Sequence, residues 1–239
     1  MEDRFTRQIG LLGHDVQRQI RSVRVAVFGL GGLGSFVAYL LACIGVGEIF
    51  LIDFDKVATS DLNRQILYGY RVINRYKAAV AYRRLAEYAN DIVLEPITTK
   101  VEYNKLVSNI VRKVDFVFDC LDNVESRFIL NDMCVVNRKV MIHGGVSGFR
   151  GQVMAVIPGY TPCLRCIIRG GVRQQRVNVI ATSCAVVAAF QVQLFINLIR
   201  GSTCREMYII DLEELRVITY KLPAVDNCDK CTRVRSFSE

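Results

Sequence analysis

Residues 23–35 read VRVAVFGLGGLGS. The apolar, β-branched run Val23–Gly29 has the pattern of a parallel strand buried on both faces. It ends in glycines, and Leu33–Ile44, rich in Ala and Leu, reads as the helix that follows. Glycine permits turns that a Cβ would block, and it lets a phosphate approach the free N–H groups of a helix N-terminus. Glu48–Asp53 (EIFLID) is the second strand, and Asp53 lies nineteen residues beyond Gly34. A carboxylate at that place accepts hydrogen bonds from ribose hydroxyls. This loop and acid point to a nucleotide, and by themselves they suit NAD or FAD as well as ATP.

Outward from there the alternation continues. Tyr76–Tyr88 is helical by periodicity, Val93–Thr99 reads as a strand, Asp115–Cys120 as another, Asn123–Val136 as a helix, and Val140–His143 closes the series. Strands alternating with helices of this length predict an α/β fold, a Rossmann-like doubly wound and mainly parallel sheet. After Gly144-Gly145 the rhythm changes. Gln152–Ile157, Met207–Asp211 and Arg216–Lys221 read as antiparallel strands extending that sheet, with a long apolar helix packed behind them. At 239 residues, with four prolines and no Gly/Ser-rich linker, the chain is expected to form a single domain, 1–239. Its nucleotide-binding half is 1–145, and 146–239 is the antiparallel extension.

Composition removes several function classes. The N-terminus, MEDRFTRQIG, is charged and does not read as a signal peptide. Residues 177–199 carry no charge and are long enough to span a bilayer, but they include Asn178, Thr182, Gln191, Gln193 and Asn197. A helix buried in a core or subunit interface is expected, with no membrane partner. Lys and Arg exceed Asp and Glu by eight, yet the basic residues are scattered and no aromatic-basic module accompanies them. The excess suits nucleotide phosphates and an acidic protein partner better than nucleic acid.

The next segments separate ATP chemistry from hydride transfer. Ser60-Asp61-Leu62-Asn63-Arg64-Gln65 follows the second strand, and Lys77 opens the next helix. A triphosphate under attack needs cations to stabilise charge moving onto pyrophosphate, and Arg64 and Lys77 can supply it. Asp122 and Asn123 follow the Asp115–Cys120 strand at its carboxyl end, where a carboxylate can hold Mg²⁺. The same pair reads equally well as the cap of the following helix.

In this order the motifs R-x-x-R-Q (Arg4–Gln8), G-x-G-G-L-G (Gly29–Gly34), D-F-D (Asp53–Asp55), L-N-R-Q (Leu62–Gln65), Lys77 and D-C-x-D-N (Asp119–Asn123) resemble the MoeB/ThiF family. Its members are adenylyltransferases similar to the adenylation domains of ubiquitin-activating enzymes, and the resemblance runs from about Arg4 to Cys231. It implies ATP as the nucleotide, with Asp53 on the ribose, Gly32 against the nucleotide, and Asn63, Arg64 and Lys77 on phosphates. Asp122 would place Mg²⁺. Gly31, Gly34, Asp55, Gln65 and Asn123 belong to the same motifs and are carried as nucleotide-binding positions. Arg7 would enter the site of a second copy in a homodimer. The partner would be a ubiquitin-like or sulfur-carrier protein ending in Gly-Gly, activated as an acyl-adenylate. A peptide or small-molecule carboxylate is the alternative substrate, and an NAD-dependent oxidoreductase the alternative chemistry.

Four of the nine cysteines form two C-x-x-C pairs, Cys163/Cys166 and Cys228/Cys231, separated by 61 residues. Two such knuckles suit one tetrahedral structural Zn²⁺, tying the C-terminal tail to the domain. Thiols used this way make the cytoplasm the expected compartment. There are two departures from the family. Relatives often carry a cysteine in the crossover before the late helix, but Arg173–Asn178 has none, and Cys184 reads as packing on that helix. Adenylation without a covalent thioester is therefore expected. Asp61 stands where relatives often have asparagine, and a negative charge there is unhelpful to a triphosphate unless it faces a cation or Mg²⁺.

Overall fold

A computed structural model describes residues 2–168, 178–223, 228 and 231. The elements run in order α1 (Glu2–Leu12), α2 (His14–Ser22), β1 (Arg24–Phe28), α3 (Gly32–Ile44), β2 (Glu48–Ile52), α4 (Lys77–Tyr88), β3 (Val93–Ile97), α5 (Lys105–Lys113) and β4 (Phe116–Asp119). They continue with α6 (Val124–Val136), β5 (Val140–Ser147), β6 (Arg150–Val156), α7 (Leu164–Ile167), α8 (Ala181–Ile199), β7 (Glu206–Asp211) and β8 (Arg216–Lys221).

All eight strands form one sheet in the order β3-β2-β1-β4-β5-β6-β7-β8. β3, β2, β1, β4 and β5 pair in parallel, and β6, β7 and β8 are added antiparallel. This is the mainly parallel sheet with an antiparallel extension that the sequence pattern predicts. Alternate strand residues serve opposite faces. Val25, Val27, Ile49, Leu51 and Phe118 pack with α3, α4 and α8, while Ala26, Phe28, Phe50, Ile52 and Val117 pack with α5 and α6. That two-sided burial is why the strands read as unbroken apolar runs. β1 pairs with β2 on one side and β4 on the other, so the chain's direction of winding reverses between β1 and β4. Ligands bind outside the carboxyl ends of strands at such a point.

Two features differ from the sequence expectation. β5 does not stop at His143; it runs to Ser147, because Gly144–Ser147 pair with Arg150–Val153 across a tight connection. The strand therefore crosses residue 145, and the parallel and antiparallel parts share it. The short helices α1, α2 and α5 gave no signal strong enough to assign; α1 is anchored by Phe5, buried beneath Gly45.

Helix α8 is long and apolar enough to cross a membrane, but half of it is buried in the protein. Phe195 stacks edge-on against Phe116 and Phe118 at 5.0 and 5.8 Å. Gln191, fully buried, donates to the carbonyls of Asp119 (3.2 Å) and Ile142 (3.0 Å). An amide that ties β4 to β5 explains one polar residue of the uncharged run as a core contact.

Candidate functional site

The loop after β1 is shaped by two glycines. Gly29 has φ +85°, and a Cβ there would lie 2.7 Å from the Cys120 carbonyl oxygen. At Gly34 a Cβ would come within 1.8 Å of the Gly29 carbonyl oxygen, so the first turn of α3 sits directly on the end of β1. Gly31, the N-cap of α3, makes no side-chain cap, and the first turn carries no acid. The helix N-terminus is thus left for an external anion.

A cavity of about 860 Å³ opens above this loop. Gly31, Gly32, Asp53, Asp55, Arg64 and Gln65 line it, together with Lys77, Asp122 and Asn123. Residues from Gly31 to Asn123 are thus brought together at the β1–β4 switch point. Gly34, Asn63 and Arg7 are not in that lining: Gly34 faces the loop backbone, Asn63 Oδ1 accepts from Arg64 at 2.9 Å, and Arg7 is exposed on α1.

Asp53 is engaged on both oxygens, accepting from the Leu30 N–H (2.7 Å) and the Asp55 N–H (2.7 Å). Burial pushes its carboxyl above the ordinary range, against those two bonds and the nearby Lys77 charge. Tyr68 donates to the Leu30 carbonyl at 2.8 Å, which fixes the next peptide of the loop, Leu30–Gly31. Lys77 is nearly buried, its Nζ 3.6 Å from Asp55 and 3.5 Å from Asp61. Arg64 donates to the Ser60 carbonyl at 2.6 Å and lies 3.6 Å from Asp61. The Asp61 carboxylate therefore faces cations, the condition under which an acid is tolerable there.

The two readings of the Asp122–Asn123 pair separate cleanly. Asn123 is the N-cap of α6, accepting from the Ser126 N–H at 2.8 Å. Asp122 is exposed on the cavity wall, with a long 3.3 Å contact from the Asn123 amide. The capping role belongs to the asparagine, and the aspartate takes no part in it.

Behind Asp122 stands a network that sequence reading missed. Asp119 is buried and accepts from His143 Nδ1 at 2.7 Å and from Arg127 at 3.2 Å. Arg127, itself on the cavity wall, also donates to the Leu121 carbonyl and, at 2.7 Å, to that of Gly144. Gln152 meets His143 Nε2 at 3.0 Å, and the Arg127 guanidinium lies 2.9 Å from Nδ1, so both ring nitrogens have polar partners. Burial, and then Arg127, hold His143 below its ordinary pKa against the pull of Asp119. Burial raises Asp119, but Arg127 and then His143 outweigh it and hold the carboxyl low. The network clamps the Leu121 peptide and so the turn that presents Asp122. The D-C-x-D-N motif contains Asp119, but nothing local marks its two partners.

Cys184 is buried in the first turn of α8, its Sγ 2.8 Å from where a Gly32 Cβ would be. Burial pushes this thiol up, against the nearby Arg64, and the residue also borders the cavity. All but the last residue of the crossover segment Arg173–Asn178 lies outside the described residues.

At the other end of the sheet Cys163, Cys166, Cys228 and Cys231 bring their sulfurs within 4.8 Å of one another. Neighbouring Sγ pairs are 3.8–3.9 Å apart. Four sulfurs bound tetrahedrally at about 2.3 Å would lie about 3.8 Å apart, so the cluster fits a metal ion. Its knuckle is seated on α6: Asn131 Oδ1 accepts from the Leu164 N–H at 2.9 Å, and Arg165 holds Asp132 through two bonds of 2.7 and 3.0 Å.

The chain is 29% identical over 242 residues to the sulfur carrier protein ThiS adenylyltransferase of Bacillus subtilis (strain 168), covering 95% of its own length and 72% of that protein's. Over 167 residues it is 34% identical to the vegetative HesA protein of Trichormus variabilis, 69% of this chain and 63% of that one, so it spans just under two thirds of that relative. The crystal structure of E. coli MccB with ATP has the same fold, with a TM-score of 0.84 at 21% identity over 96% of this chain and 74% of that one. The profile of the ThiF family matches residues 5–231, nearly the whole length, and the chain belongs to the ThiF family.

Proposed function

We propose that this protein is an ATP-dependent adenylyltransferase that activates the C-terminal glycine carboxylate of a small ubiquitin-like or sulfur-carrier protein. The observation that carries the reading is the meeting of Arg64, Lys77 and Asp122 with the glycine loop around one cavity. A dinucleotide needs the loop and Asp53, but it leaves those three without a joint purpose. Relatives named for ThiS and for SAMP activation support a protein substrate of this kind.

The substrate's carboxylate is already ionised at neutral pH, so attack on the α-phosphate requires no strong general base. The oxygen–α-phosphorus bond forms in line as the bond to pyrophosphate breaks, giving an acyl-adenylate. Asp53 orients the ribose, the α3 N-terminus and Gly31–Gly32 receive phosphate oxygens, and Arg64 and Lys77 neutralise the leaving pyrophosphate. Asp122 would hold Mg²⁺, which supplies further neutralisation of phosphate charge. Arg7 is exposed on α1, outside the cavity of its own chain, and acts in the site of a second copy. The Cys₄ cluster holds structural Zn²⁺, and its reduced thiols suit the cytoplasm. Residues 1–239 work as one domain.

Thermal melting in ATP·Mg²⁺ and in NAD⁺ tests the chemistry. A ligand at a hundred times its Kd adds about 2.7 kcal/mol, which is readily seen. Stabilisation by ATP·Mg²⁺, followed by pyrophosphate exchange that depends on a Gly-Gly-terminated ubiquitin-like protein, is the expected result. Stabilisation by NAD⁺ alone refutes the reading. Exchange driven by a short peptide but not by the protein would move the substrate to the peptide class.

A further inference from the structure

We infer that Asp61 is a resident counter-anion of the phosphate site, a positioning residue that makes the site select the magnesium complex of a nucleoside triphosphate over the free triphosphate. The inference rests on the adenylation reading above and concerns a residue to which that reading gives no role.

Asp61 is nearly buried, and both its oxygens are committed. Oδ2 accepts from the Ala58 N–H at 2.9 Å and lies 3.5 Å from Lys77 Nζ. Oδ1 accepts from Gln65 Nε2 at 2.9 Å and lies 3.6 Å from the Arg64 guanidinium. One carboxylate therefore holds three of the side chains that line the phosphate end of the cavity. A buried carboxylate is tolerated only when so paired, and the pairing works in both directions. Lys77 and Gln65 are fixed before nucleotide arrives, and the charge that would attract phosphate is partly spent.

Two further observations say what the site then accepts. Six acidic side chains line the cavity against four basic ones (Arg64, Lys77, Lys100 and Arg127), so the wall carries no excess of positive charge for a free triphosphate. A triphosphate that has already bound a divalent cation meets much less repulsion. Gln65 points the same way. Its Nε2 is spent on Asp61, and its Oε1 is buried with no hydrogen-bond partner among the described residues. A bare phosphate oxygen is itself an acceptor and cannot satisfy that carbonyl.

The test is calorimetric titration of ATP, with Mg²⁺ and with EDTA, into wild-type protein and the near-isosteric Asp61→Asn. Wild type is expected to prefer ATP·Mg²⁺ strongly. In Asp61→Asn, metal-free ATP should bind about tenfold tighter, the scale of one charge removed within several ångströms. ATP·Mg²⁺ binding should change little, and turnover in pyrophosphate exchange should fall as Lys77 and Gln65 lose their anchor. A variant that weakens both ligands alike makes Asp61 a mere prop for the loop and overturns the inference; so does an unchanged gap between the two ligands. If Asp61→Asn does not fold, wild-type titration with tripolyphosphate in EDTA and in Mg²⁺ replaces it, and equal affinities overturn the inference. Wild-type protein that binds ATP under neither condition refutes the nucleotide reading itself, a result distinct from either failure of Asp61.

Discussion

Alanine at Gly34 would put a methyl carbon 1.8 Å from the Gly29 carbonyl oxygen, 2.9 Å from its carbon and 3.1 Å from Cys120 Cβ. Two of those atoms are backbone at the end of β1, so relief requires α3 to lift off the sheet. Overpacking of a well-filled site costs about 1–3 kcal/mol, and a backbone clash of this depth belongs at the upper end. In a domain of this size each kcal/mol moves Tm by about 2–4 °C, so Gly34→Ala should melt about 6–12 °C below wild type. Gly31 is the contrasting case. Its φ is −77°, and the nearest atom to an added Cβ is the Gln65 Nε2 at 3.8 Å. Gly31→Ala should melt within about 2 °C of wild type, because surface-like changes without a clash stay near neutral. Its methyl would nonetheless occupy the space where phosphate meets the α3 N-terminus, so the stabilisation by ATP·Mg²⁺ should disappear. Differential scanning fluorimetry on the two variants, with and without ATP·Mg²⁺, reads both effects. Unchanged melting of Gly34→Ala would refute the packing argument. A full ATP shift in Gly31→Ala would mean that phosphate does not lie on this loop.

The remaining expectations concern the cation site, the buried histidine and the cysteine cluster. Asp122→Ala removes an exposed side chain with one long contact, so it should leave Tm within about 2 °C and abolish Mg²⁺-dependent pyrophosphate exchange; an active variant removes Asp122 from the mechanism. His143 is held below its ordinary value, so the unfolded chain takes up its proton first as pH falls below about 6.5 and stability is lost down to the folded pKa. Urea midpoints between pH 8 and 5 should fall accordingly, and His143→Gln should flatten that slope; an unaltered slope would assign it to other groups. Asp119 is held low, so its contribution is present above the ordinary carboxylate range and is lost only as pH falls through its depressed pKa, in more acidic solution. Metal analysis of protein purified without chelators should find one zinc per chain on the four cysteines, and stripping it should lower Tm; zinc-free protein of equal stability would remove the metal from the fold.

Much of this protein follows from local pattern. Strands buried on both faces must be apolar throughout, so β1, β2, β4 and the start of β5 are visible as runs, and the glycines after β1 mark where a chain turns tightly into a helix. The two C-x-x-C pairs announce themselves by spacing, because each knuckle is a local turn. Lys77 and Asp122 could be picked out because one opens a helix and the other closely follows a strand at the carboxyl edge of the sheet, and Arg64 because it belongs to the L-N-R-Q run between them. Tertiary structure decided what no window of sequence contains. Asp119, Arg127 and His143 meet because β4 and β5 are parallel neighbours, in register at Asp119 and His143, with α6 crossing between them. Gln191 closes the same region from a helix that starts sixty-two residues after β4 ends. The role of Asp61 rested on orientation: the same carboxylate would be a defect facing phosphate and is a counter-ion facing Lys77. Residue identity sets the charge, but only the packed chain sets which charge it meets.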